Sequence, residues 1–133
     1  MAGKLLILLT MLLAFSVTCL AGPVERKSEE GNFVIRVQTE PPLPFVGNNV
    51  VTLTIVDSRD GKPVEGAMIE ATPWMTMHGH GSSKKTRVRE KGKGIYVVED
   101  VFFTMAGDWD LLITCRKNMI EDKAIIPFKN VRN

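Results

Sequence analysis

The sequence predicts an all-β protein, an immunoglobulin-like antiparallel β-sandwich of about seven strands behind an N-terminal signal peptide. Two patterns in the chain predict the sandwich. Short β-branched runs with alternating apolar residues recur from residue 33 onwards, separated by Gly, Pro, Asn and Asp clusters, and no stretch sustains a helical period. A third observation bounds the size: 133 residues, 44% hydrophobic and 24% charged, suffice for one domain with a core and not for two.

The first element is the signal peptide. Lys4 supplies a short positive region, Leu5 to Leu20 is apolar apart from small hydroxyl residues, and Cys19 and Ala21 are small residues placed for cleavage. Residues 1–21 are therefore assigned to export, and the mature protein is expected outside the cytoplasm, periplasmic or secreted. Leu5 to Ala21 also comes close to the shortest membrane span, so a retained segment would be an anchor, and only then would a membrane be a partner. Loss of Cys19 leaves Cys115 alone, and no internal disulfide is expected. Within "WDLLITCRK" that thiol should be buried and inert.

Residues 22–32, "GPVERKSEEGN", are polar and Gly/Pro-bearing, which predicts a flexible leader, and the sandwich is assigned to residues 33–133. Its first strand is Phe33 to Thr39, because "FVIRVQT" alternates. The prolines of "EPPLPFVGNN" lack a ladder donor and end it. Asn49 to Asp57 is a strong strand with Val51, Leu53 and Ile55 on one face, and Asp60-Gly61 favours a tight turn after it. Ala67 to about Thr72 follows. In "KKTRVRE", Thr86 and Val88 alternate with Arg87 and Arg89 as in an edge strand. "KGKG" turns into "IYVVEDVFF", "MAGD" separates that run from "WDLLITC", and Pro127 places the final "KAIIPFKNV" at an edge. The expected core is Val34, Val51, Leu53, Ile55, Ile69, Tyr96, Val98, Trp109, Leu111 and Ile113.

Several function classes fall away. A net charge of +2 demands no nucleic-acid partner, and none is expected; Lys84 to Lys93 is a solvated basic face able to touch anionic lipid or an acidic partner. "DSRDG" lacks the spaced oxygen ligands of a calcium loop. No histidine follows Cys115, as a blue-copper site requires. No phosphate cradle, Ser/His/Asp constellation or acid–base pair assembles, so an enzyme is not expected.

"PWMTMHGHGS", Pro73 to Ser82, stands apart, since it gathers both histidines, two methionines and a tryptophan. With "GNNVVTLTIVDSRDGKPVEGAMIEA", "GKGIYVVEDVFF" and "TMAGDWDLLI", it resembles the YtkA-like family, which is related to FixH-type proteins. The resemblance spans roughly Pro44 to Cys115. Its specific parts are the Met-x-Met-His-x-His loop and the Met-Ala-Gly-Asp-Trp run. It implies an exported or membrane-anchored immunoglobulin-like domain, some of whose relatives are associated with copper handling and copper-oxidase assembly. By position it carries over the ligand set Met75, Met77, His78 and His80. Thr76 departs from similar loops, which often carry proline there, and is expected to loosen the turn.

Ligand chemistry points the same way. Thioethers are soft ligands suited to Cu(I), imidazoles serve both copper states and zinc, and the loop offers neither the cysteine nor the carboxylate usual for zinc. In an extended chain Met75 and Met77 would face one way and His78 and His80 the other. One site therefore needs a bend, which Gly79 and Gly81 permit; without it two weaker two-ligand sites remain. Lys84, Lys85, Arg87 and Arg89 would repel a free cation, while Met68 and Met105 are further recruits that read first as core fillers. Two readings stand. One is an exported, non-enzymatic domain that binds copper, Cu(I) or Cu(II), as a metallochaperone or sequestering protein with a cuproprotein acceptor. The other is an interaction module whose edge strand or basic face docks on an envelope protein, the loop being structural.

Overall fold

The computed structural model describes residues 23–133; the expected signal peptide and Cys19 lie outside the described residues. Among the described residues there is no helix. Nine strands form: β1 (Val24–Lys27), β2 (Phe33–Glu40), β3 (Gly47–Asp57), β4 (Met68–Met75), β5 (His80–Gly81), β6 (Arg87–Gly92), β7 (Ile95–Phe103), β8 (Gly107–Lys117) and β9 (Ile120–Val131). They make two sheets, β1-β2-β3-β7-β6 and β5-β4-β8-β9, with every paired strand antiparallel. The expected sandwich is present, and the two strands beyond expectation are β1 and β5.

The core follows the alternation. Val51, Leu53 and Ile55 of β3 are fully buried, as are Tyr96, Val98, Trp109, Leu111 and Ile113. One core expectation is corrected. Val34 is half-buried, and Phe33, Ile35 and Val37 face the interior instead. Arg36 lies two positions beyond Val34, and the two-residue period gives both the same face, so a charge that must stay wet turns Val34 outward with it.

Residues 24–27, expected in a flexible leader, pair with Val34–Val37 of β2. All four are exposed, so apolar burial does not hold them. Asp122 of β9 does much of the fastening. Its buried carboxylate accepts the Ser28 hydroxyl at 2.6 Å, the Glu30 and Asn32 amides at 2.9 and 3.1 Å, and Asn32 Nδ2 at 3.0 Å. Burial alone would raise this carboxyl, but the converging donors outweigh it and hold the group well below the usual carboxylate range.

The Asp57 carbonyl accepts from the Gly61 amide at 2.8 Å, giving the expected turn, but β3 and β4 lie in different sheets, so the turn opens a crossover rather than a hairpin. Buried Tyr96 fastens that crossover: its hydroxyl donates to the Val64 carbonyl at 2.8 Å and accepts from the Ala67 amide at 3.1 Å. Pro127 sits in the outer strand β9, opposite Asp110. Cys115 is buried; desolvation, with the Asp122 charge adding to it, pushes the thiol up to about 11, so it is inert as expected.

β6 is an edge strand, and its two arginines are paired rather than free. Arg87 and Lys84 each reach the Asp100 carboxylate at 2.8 Å, and Arg89 pairs with Glu99. A second open edge is β4, because β5 pairs only with Trp74 and Met75. These two edges flank one opening of the sandwich, where the Thr86 hydroxyl donates to the Ala71 carbonyl at 2.6 Å.

Candidate metal centre

The Met/His stretch is a hairpin. Residues of β4 alternate outward and inward up to Met75, which is buried, with Trp74 facing out. The chain then turns, and the Met75 carbonyl accepts from the His78 and Gly79 amides at 3.0 and 2.9 Å. Gly79 takes φ +65°, so the expected bend is made there. Gly81 serves differently: its φ is not positive, but a β-carbon would stand 2.9 Å from the Pro73 carbonyl and 3.0 Å from the Trp74 ring. Thr76, expected to loosen the turn, ties it instead, its hydroxyl donating to the Asp110 carboxylate at 2.6 Å.

The hairpin changes which side chains meet. Met75 pairs directly with His80, and opposed residues on antiparallel strands project to the same face. Met75 and His80 are thus together, contrary to the two-faced arrangement expected of an extended chain. The two-residue period fails once the backbone leaves the strand at Thr76. Met77 sits in the turn and is 84% exposed, so it does not share a face with Met75. His78 does join the group: its ring centroid lies 6.0 Å from that of His80, the planes tilted by 39°.

That spacing suits a shared ion. A metal–imidazole bond of about 2.0 Å puts an ion about 3.1 Å from each centroid; two rings on one ion then stand about 5.1 Å apart at the tetrahedral angle and about 6.2 Å when opposed. The observed value falls between these limits. Nδ1 of His80 lies 3.4 Å from the Gly81 carbonyl, an orientation that favours a proton on Nδ1 and leaves Nε2 as the ligand nitrogen. Among the described residues no three His, Cys, Asp or Glu side chains cluster closely enough to hold a metal. A site here must draw on thioethers, which selects for a soft ion.

The floor of the cluster comes from the Met-Ala-Gly-Asp-Trp run, of which the sequence singled out only Met105, as a further recruit. The buried Trp109 indole meets His80 edge-on at 5.9 Å between centroids and packs on Phe103 at 5.2 Å. Its Nε1 donates to the Met105 carbonyl at 2.9 Å. Gly107 has φ +132°, and a β-carbon there would stand 2.7 Å from the Met75 methyl. The two stretches most specific to the family resemblance, about thirty positions apart, are therefore one spatial unit. Met68, the other recruit, is 61% exposed, and Arg116 lies 3.7 Å from its sulfur.

The sequence model of a family described as YtkA-like matches residues 25–114. Among solved structures the chain is similar to a copper-bound variant of FetP from a uropathogenic Escherichia coli strain. The TM-score is 0.54 with 11% identity, over 84% of this chain and 95% of that one. At such identity the likeness is one of fold. No curated protein matches the chain.

Proposed function

The chain belongs to the YtkA-like family, and from that premise we propose that it is a non-enzymatic, extracytoplasmic copper-binding protein that carries or sequesters the ion through its Met/His hairpin. The observation that carries this reading is the cross-strand pairing of Met75 with His80 in a short hairpin, with the His78 imidazole beside that of His80 at a separation one ion can bridge. Copper in the FetP neighbour lends support at the level of fold alone. Of the four basic residues expected to repel a cation, Lys84, Arg87 and Arg89 are neutralised by Asp100 and Glu99, which leaves Lys85 to oppose it.

Met75 is buried and pairs across the strands with His80, so the hairpin must give for the ion to reach it. β5, two residues long and paired only to Trp74 and Met75, is built to give. Cu(I) titration of the protein against a chromophoric chelator tests the proposal. The His78→Ala/His80→Ala double variant should lose roughly tenfold or more in affinity, since even residues that only orient a ligand contribute that much. Equal affinity in both proteins would overturn it.

One observation favours a second reading. Among the described residues the Met68–Pro73 edge of β4 has no partner strand, and an envelope protein could add one there. Retention of such a partner by the double variant, with chelator present, would favour docking.

A further inference from the structure

We propose that the second thioether of the copper site comes from Met105, in the loop between β7 and β8, and not from Met77. The inference rests on the copper reading above and names the donor that completes it. Met77 projects from the tip of the hairpin and is 84% exposed, whereas Met105 is 41% exposed.

Two contacts, neither made by its own side chain, bring the backbone around Met105 to the cluster. The first runs through Trp109: its indole nitrogen holds the Met105 carbonyl at 2.9 Å, and the same indole meets the His80 ring. The second runs through Gly107, two residues beyond Met105, on which the Met75 methyl rests. The loop carrying Met105 is thus fastened at one point to the wall under His80 and at another to the seat of Met75. Met77 has no comparable contact among those described; its neighbours Thr76 and His78 are tied to Asp110 and Met75 while its own side chain points to solvent.

Ligand chemistry favours the exchange. Cu(I) takes thioether and imidazole donors, and a set of Met75, Met105, His78 and His80 supplies both kinds from two chain segments. Donors on separate, mutually fastened elements need less ordering on binding than donors on one exposed turn.

The test uses three single variants of the full chain: Met77→Leu, Met105→Leu and His80→Ala. Each is titrated with Cu(I) against a chelator, and sulfur coordination is counted by X-ray absorption. Met105→Leu retains the carbonyl that Trp109 holds, so unchanged thermal unfolding of the metal-free protein is its folding control. The expected result is a loss of roughly tenfold or more for Met105→Leu and for His80→Ala, with Met77→Leu near wild type. Sulfur counts should be two in the wild type and in Met77→Leu, and one in Met105→Leu. A loss confined to Met77→Leu, equal losses in both methionine variants, or a loss in neither while His80→Ala weakens, would each overturn the Met105 assignment and leave the copper reading standing. No loss in His80→Ala would remove the copper reading itself.

Discussion

At Gly107 a single hydrogen atom makes room for the Met75 methyl, and the backbone there is one that other residues adopt only under strain. Gly107→Ala should destabilise the protein by about 1–3 kcal/mol, most of it from the backbone, because the end of a methionine can move aside. That movement would carry the thioether away from His80. Thermal unfolding should therefore show lower stability and Cu(I) titration a weaker site; an unchanged affinity would mean that Met75 is no ligand. At this scale the proposed donors Met75, His78 and His80 were legible as candidates, since they sit within one stretch. The part proposed for Met105, which the sequence offered only as a further recruit, rests on an indole and a glycine about thirty positions downstream that no local pattern announces.

Strands announced themselves wherever one face is wet and the other dry. β2, β3, β4, β7 and β8 all carry that alternation, and Val34 was misplaced only because an apolar triplet hides which of its members shares a face with Arg36. β1 carries no such signal. Its four residues are exposed, and a carboxylate about ninety positions away helps hold the turn that follows. Because Asp122 is held below its unfolded value of about 3.9, the clamp stabilises the fold above that pH. Its contribution fades as the pH falls through the lower folded value. Asp122→Asn should lower stability at neutral pH by about 2–3 kcal/mol, in line with hydrogen bonds to a charged acceptor. It should also flatten the loss of stability that the wild type shows below about pH 4, as urea unfolding at several pH values would measure. An identical acid profile in both proteins would show that the β1–β2 turn is held by something else.

For the molecule as a whole, the sandwich architecture was legible but its order was not. Pairing of β3 with β7, and the placing of β4 at an open edge, are set by contacts that local pattern does not encode. Metal binding is where the assembled molecule should respond. Imidazole nitrogens must shed protons to bind while thioethers do not titrate, so copper affinity should fall between about pH 7 and about pH 5 without vanishing. Competition titration across that range checks it, and a flat profile would exclude both histidines. Copper at about a hundred times its dissociation constant should add about 2.7 kcal/mol of stability, read as a higher melting temperature than after chelator treatment.

Two indoles bracket the hairpin: Trp74 lies against Gly81 on the outer face, and Trp109 is sealed beneath His80. Excited together, the sheltered ring should emit toward the blue and its partly wet counterpart toward the red. The blue emitter packs against His80, so an ion lodged at the imidazoles should quench it and shift the residual glow redward, an unlabelled optical gauge of occupancy.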